Sequence, residues 1–137
     1  MNDSRILIVE DNPDDESLTQ RGLRKTPAEI TVASDGALAL EMLAAAEHLP
    51  DLVLLDLKLP KIDGSEVLHQ LRNNVRTSKL CVVVFTSSSE PADIARCYAL
   101  GCNSYVIKPV TYEDYIEAVR SIAAYWLTLN VSPARPR

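Results

Sequence analysis

The sequence predicts an α/β fold, a five-stranded parallel sheet doubly wound by helices in (βα)5 order. Two observations carry that expectation. Short apolar runs without period-two alternation recur along the chain: Ile6-Leu7-Ile8-Val9, Leu52-Val53-Leu54-Leu55 and Cys81-Val82-Val83-Val84-Phe85. Such runs fit strands covered on both faces, as in a parallel sheet. Each is followed by a turn and then by a segment with helical spacing, and the β-α alternation runs five times. That order implies right-handed crossovers with helices on both faces.

The first strand is Arg5 to Val9, and it stops at Glu10-Asp11-Asn12. Pro13 suits the first turn of a helix that Asn12 or Asp11 can cap. This helix carries Leu18, Gly22 and Leu23 inward and is expected to end near Lys25 or Thr26, before Pro27. A shorter strand spans 29–33, and Asp35-Gly36 turns the chain into an alanine- and leucine-rich helix at 37–46. The third strand ends abruptly on the carboxylate of Asp56, with Pro60 and Asp63-Gly64 marking the loop beyond it. Gly64 opens a third helix with Val67, Leu68 and Leu71 on one face. The fourth strand ends in Thr86-Ser87-Ser88-Ser89. Pro91 starts a fourth helix through Leu100, which Gly101 ends. The fifth strand, 104–107, leads into Lys108-Pro109. A last helix over 112–127 places Tyr112, Tyr115, Ile116, Val119, Ile122, Ala123 and Trp126 on its inward face.

With 137 residues, 47% apolar and 24% charged, the chain reads as one soluble globular domain over 1–129 with a tail at 130–137. Its apolar runs are too short to span a bilayer and no signal pattern opens it, so a cytoplasmic location is expected. Cys81, Cys97 and Cys102 lack metal-ligand spacing and read as buried or free thiols. A net charge of −5 offers no nucleic-acid footprint.

Four strand ends carry complementary chemistry. The first supplies Glu10 and Asp11, the third Asp56, the fourth Thr86 and the fifth Lys108. In open α/β sheets, ligands bind at the carboxyl ends of the strands. Carboxylates gathered there repel one another unless a cation or Lys108 offsets them. Oxygen-only ligands in an incomplete cage suit Mg2+, which keeps waters and leaves room for phosphate oxygens. Asp56 is then placed to attack phosphorus, with Lys108 and the metal neutralising charge and Thr86 bonding the transferred group. Each residue also has an ordinary structural reading as a helix cap, a strand end or a surface lysine, and it is their combination that points to a site.

On these motifs the chain resembles the receiver domain of two-component response regulators, whose architecture is flavodoxin-like. The resemblance runs from Ile6 to about Leu127. It rests on Glu10-Asp11, on Asp56 within LLDLKLP followed by Gly64, on Thr86 with small Ser87, and on Tyr105 three residues before Lys108-Pro109. It implies that Asp56 accepts phosphate from a histidine kinase or a phosphotransfer protein. It further implies Mg2+ on Glu10, Asp11, Asp56 and the backbone carbonyl of Lys58, a switch pair of Thr86 and Tyr105, and a cis Lys108–Pro109 bond. Glu10 stands where the family pattern most often has Asp; one methylene longer, it can reach a metal through water. The Lys58 ammonium can also lie over the phosphoryl group. Glu-Asp-Asn-Pro-Asp-Asp at 10–15, the 101–105 segment, Tyr125-Trp126-Leu127 and the proline-bearing tail are similar to single-domain regulators paired with phytochrome-type histidine kinases.

Two other classes share parts of the pattern. Aspartate-nucleophile phosphatases of the haloacid dehalogenase type place a general-acid Asp two residues after the nucleophile, where this chain has Lys58. A phosphate-independent interaction module would not need the full set of site residues. His48 and His69 are isolated from the site, and no histidine is placed to activate Ser87, Ser88 or Ser89. Beyond the last helical stripe, Leu127, Leu129 and Val131 alternate with polar residues. An apolar arm of this kind suggests a homodimer whose interface includes Trp126, Leu127 and Leu129.

Overall fold

A computed structural model of the chain describes residues 4–133. Five strands, β1 (Ser4–Val9), β2 (Ala28–Ala33), β3 (Leu52–Leu55), β4 (Val82–Thr86) and β5 (Ser104–Ile107), form one parallel sheet in the order β2-β1-β3-β4-β5. Five α-helices alternate with them: α1 (Pro13–Gly22), α2 (Gly36–Ala45), α3 (Gly64–Arg72), α4 (Pro91–Leu100) and α5 (Tyr112–Ala124). The expected (βα)5 doubly wound architecture is the one observed.

The apolar runs behave as strands coated on both sides. Successive side chains on a strand point to opposite faces. Leu7, Val9, Val53, Leu55, Val82 and Val84 therefore join Ala39, Leu43, Val67, Leu68, Leu71 and Cys97 from α2, α3 and α4. The intervening Ile6, Ile8, Leu52, Leu54, Val83 and Phe85 pack against Leu23 and against Tyr115, Val119, Ile122 and Ala123 of α5. Side chains from the preceding loops cap the helices: Asn12 accepts from the Asp14 and Asp15 N–H groups, Asp35 from Leu38, Asp63 from Glu66 and Thr111 from Asp114. Gly101, at φ 99°, ends α4 in the left-handed conformation that glycine adopts without penalty.

Four expectations need correction. Helix α1 stops at Gly22 rather than near Thr26; Leu23 turns out of it, with its N–H bonded to both Thr19 and Gln20, and buries its side chain in the core. Helix α5 stops at Ala124, and Tyr125–Leu129 forms a π-helical turn closed by Asn130 N–H to the Tyr125 carbonyl at 2.7 Å. The wider turn sets Trp126 and Leu127 together against the α5-side core, half-buried, so they are not a free arm. Tyr112 lies outside the core, 47% exposed, because Arg21 draws it sideways by a 3.3 Å hydrogen bond to its hydroxyl and a cation–π contact. Finally, Lys108–Pro109 is trans. The trans isomer is favoured by about 0.5–1 kcal/mol before proline, and in it the Lys108 ammonium already meets its partners.

The three cysteines are free, as expected. Burial pushes the Cys81 thiol up to about 12 and the Cys97 thiol up to about 11, which leaves both in the unreactive protonated form. Among the described residues, no helix is long and apolar enough to cross a membrane. Of the expected tail, 134–137 lie outside the described residues.

Candidate phosphoacceptor and cation site

Strand register builds the site. Val9 is opposite Leu55, so Glu10 and Asp56 leave adjacent strands side by side, and the Asp56 N–H still donates to the Val9 carbonyl at 3.1 Å. Thr86 is opposite Ile107, so Lys108 leaves β5 beside it, its N–H bonded to the Thr86 carbonyl at 2.7 Å. Chain continuity alone thus brings residues 10, 56, 86 and 108 to one edge. The β3–α3 loop is seated tightly behind Asp56: the Gly64 N–H donates to the Leu57 carbonyl at 2.8 Å, and Gly64 lies against the Asp56 and Leu57 backbone with no room for a side chain.

Glu10, Asp56, Thr86 and Lys108 are all buried, and Asp11 is exposed at the rim. Glu10, Asp11 and Asp56 each bring a carboxylate oxygen to within 4.8 Å of the others. Oxygens of an octahedral shell with metal bonds of about 2.1 Å stand about 3–4.2 Å apart, so a small hard cation fits with slight closure. The longer Glu10 thus brings its oxygen into the cluster itself. Lys108 Nζ lies 2.6 Å from Glu10 Oε1, 2.8 Å from Asp15 Oδ2 and 3.0 Å from Asp56 Oδ2. Asp56 Oδ1 accepts from the Leu57 N–H at 2.7 Å. Burial pushes the Glu10 carboxyl up to about 7, against the Lys108 hydrogen bond and with the Asp56 charge. Burial also opposes the Lys108 charge, but the hydrogen bonds to Asp15 and Glu10 and the Asp56 charge outweigh it and raise its pKa above the usual lysine value. One ammonium therefore stays protonated amid four carboxylates, and the uncompensated negative charge is an attraction for a divalent cation.

Thr86 is fully buried, and its Oγ1 is 3.5 Å from the Ser88 N–H. Tyr105 is half-buried and donates its hydroxyl to the Ser88 carbonyl at 2.9 Å. The two expected switch residues therefore meet at Ser88, whose own hydroxyl donates to Asp93 Oδ2 of α4 at 2.6 Å. The Lys58 side chain is exposed.

Sequence reasoning missed two of these residues. Asp15 is a direct partner of Lys108; the sequence offered it only as part of the acidic run at 10–15, with nothing to set it apart from Asp14. Ser88 acts through a backbone carbonyl, for which side-chain chemistry offers no signal.

The sequence and the fold were also compared with those of known proteins. The family profile described as response regulator receiver domain matches residues 6–120. The probable methanogenesis regulatory protein FilR2 of Methanothrix harundinacea is 42% identical over 134 residues, covering 93% of this chain and 86% of that protein. Response regulator Rcp1 of Synechocystis sp. is 35% identical over 136 residues, covering 94% of this chain and 92% of that protein. A crystal structure of a Mn2+-bound form of response regulator Rcp1 superposes with a TM-score of 0.90 at 33% identity, covering 96% of this chain and 99% of that one. The phosphorylated cyanobacterial phytochrome response regulator RcpA superposes with a TM-score of 0.92 at 34% identity, again over 96% and 99% of the two chains.

Proposed function

The chain belongs to the response regulator receiver family, and from that premise we propose that it takes a phosphoryl group from a phosphohistidine onto Asp56, with Mg2+, and signals through the surface this changes. The observation that carries the reading is the buried contact of Asp56 with Lys108 inside a carboxylate cluster able to hold a cation. Similarity to Rcp1 and RcpA over nearly their whole lengths supports a single-domain regulator, residues 1–129, serving a phytochrome-type histidine kinase. Lys58, at the position two residues after Asp56, offers no general acid for the phosphatase alternative.

Glu10, Asp11 and Asp56 would hold the metal, with the Lys58 carbonyl as a further ligand. When bound, Mg2+ supplies positive charge beside the transferring phosphoryl oxygens. An Asp56 carboxylate oxygen bonds to phosphorus as the P–N bond to the donor imidazole breaks. Lys108 donates to the phosphoryl oxygens, and the chain in this way assists its own phosphorylation and, in a second displacement, hydrolysis: water oxygen bonds to phosphorus as the P–O bond to Asp56 breaks, releasing inorganic phosphate and the free carboxylate. Thr86 then turns its hydroxyl to the phosphoryl group. Its loose contact at Ser88 is given up, the Ser88 carbonyl shifts, and Tyr105 follows it, changing the α4–β5–α5 face.

A single assay tests the chemistry and the switch. The protein is incubated with a small phosphodonor such as acetyl phosphate, and intact mass and peptide maps are followed. The expected result is one phosphoryl group on Asp56 in Mg2+ and none after chelation. Thr86→Ala should still accept phosphate while losing the change in Tyr105 fluorescence or ring resonances. Phosphate on another residue, or uptake indifferent to chelation, would remove Asp56 and the metal from their roles, and an unchanged Tyr105 response in Thr86→Ala would remove the switch.

The same reading includes a homodimer. Tyr98, Ile107 and Tyr112 on the α4–β5–α5 face and Tyr125, Leu129 and Val131 near the C-terminus are 44–70% exposed. With Trp126 and Leu127 half-buried on their own core, Leu129 and Tyr125 become the main contributors to that interface. Sedimentation equilibrium at micromolar concentration should give a dimer for the full chain and a weaker one, by about tenfold or more, for Leu129→Ser with Tyr125→Ser, each lost anchor costing about 1 kcal/mol or more. A monomeric full chain, or an equally tight variant dimer, counts against it.

A further inference from the structure

A lysine ammonium has three N–H donors, and in Lys108 each has its own carboxylate: Glu10, Asp15 and Asp56. Two of these acceptors, Glu10 and Asp56, belong to the cluster able to hold a cation, and Asp15 does not. Lysine and metal therefore bid for the same two buried carboxylates. A cation arriving on that cluster must draw the Glu10 carboxylate from the ammonium, and two positive charges then stand close together in a buried site. The arrangement is tolerable only if the ammonium keeps a carboxylate that the metal does not need.

Asp15 is built to be that carboxylate. It sits in the first turn of α1, where its N–H donates to the Asn12 side chain at 3.0 Å. Its carbonyl accepts from the Tyr115 hydroxyl at 3.2 Å, and that hydroxyl is 2.8 Å from Thr19 Oγ1. The backbone of Asp15 is thus tied both to its own helix and to α5, which fixes the carboxylate relative to the end of β5. Its side chain is 31% exposed, so its charge costs less to maintain than those of Glu10 and Asp56.

We infer that Asp15 is a positioning residue that holds the Lys108 ammonium while Glu10 turns to the divalent cation, and so sets the metal affinity of the site. The inference rests on Glu10, Asp11 and Asp56 being the cation site. Without the Asp15 charge, Lys108 falls back on Glu10 and Asp56, and metal must displace it from both. This goes beyond a loss of field, because it acts only through Lys108.

The test is calorimetric titration of the full-length, unphosphorylated protein with Mg2+, using wild type, Asp15→Asn, Lys108→Met and the double variant. Asp15→Asn should weaken Mg2+ binding about tenfold, at the lower end of what loss of a ligand's supporting partner costs. In the Lys108→Met background the same substitution should change affinity less than about twofold, the mark of a coupled pair. Asp14→Asn, an exposed charge one residue away, should leave affinity within about twofold, and Asp15→Glu should restore most of it. These two comparisons need no Lys108 variant to fold. Equal losses with and without Lys108, or an Asp14→Asn loss matching that of Asp15→Asn, would reduce Asp15 to a source of negative potential and overturn the inference. If wild type binds Mg2+ and Asp15→Asn binds it as tightly, the inference alone fails. If wild type takes up no Mg2+, the cation-site reading fails and this inference with it.

Discussion

Asp56→Asn is expected to take up no phosphate and yet to melt at a higher temperature than wild type when divalent cations are absent. The two effects have one origin. Asp56 is buried beside Glu10, with Asp11 close by and, among the described residues, Lys108 alone paired with the two buried carboxylates. Like charges that close repel by several kcal/mol even at an effective dielectric constant of about 20. Replacing the carboxylate by an amide removes that repulsion and leaves an oxygen that can still accept from Lys108 and Leu57. Lys108 retains Glu10 and Asp15 as charged partners, so no buried cation is stranded. A net gain of about 1 kcal/mol, or about 4 °C for a chain of this size, is a reasonable magnitude. Mg2+ should narrow the gap by stabilising wild type more than the variant, since it binds the folded protein through the carboxylate that the variant lacks. Calorimetric melts in chelator and in Mg2+ read both signs. A variant less stable than wild type in chelator would show that the Asp56–Lys108 pair outweighs the repulsion. Any phosphate on the variant would show that Asp56 is not the acceptor.

This coexistence of instability and chemistry explains why so much of the site was legible in the sequence. A parallel sheet exposes only its strand ends, so a charge placed directly after a buried apolar run, as at Glu10, Asp56 and Lys108, has one place to go. The cap at Asn12 was legible for a related reason, since it ends a loop before a helical period and offers an acceptor for unpaired N–H groups; Asp35 and Asp63 were read only as turn and loop residues, and Thr111 not at all, although all three cap helices. What escaped depends on the phase between elements. Asp14, Asp15 and Glu16 are all acidic residues in the first turn of α1, a pattern that the helix dipole favours in any helix. Only the docking of α1 against α5 selects Asp15 for Lys108. At the C-terminal end the helical stripe continues through Trp126 without interruption. The π turn at Tyr125–Leu129 arises where Trp126 and Leu127, neighbours in sequence, both find the core, and a regular period cannot express that. The Lys108–Pro109 isomer came only from family resemblance, and nothing in the local residues decides between two states separated by so little energy.

Gly64→Ala should damage stability and function together more than any other single-methyl change near the site. The obstacle is steric. A methyl group at Gly64 would lie 2.7 Å from the Leu57 Cα and closer still to the Asp56 carbonyl oxygen. Both are backbone atoms, so no side-chain rotation relieves the contact. Helix α3 cannot simply slide away, because Val67, Leu68 and Leu71 anchor it in the core and Gly36 presses the same loop from the other side at Ile62. Overpacking of this kind costs about 3 kcal/mol, and in a domain of this size the melting temperature should fall by about 10 °C. What shift is possible must come from the 56–57 backbone, which carries the acceptor. A displacement of about 1 Å in a reacting group can cost about a hundredfold in rate, so phosphorylation by a small phosphodonor should slow by at least about tenfold, even at temperatures where the variant is fully folded. Ser65→Ala, at the half-buried next residue of the helix, should change stability by no more than about 0.5–1 kcal/mol and leave the rate unchanged. Melting curves and initial rates of mass gain on the two variants decide the matter: a Gly64→Ala protein with near-wild-type melting and rate would mean that the loop yields without moving Asp56.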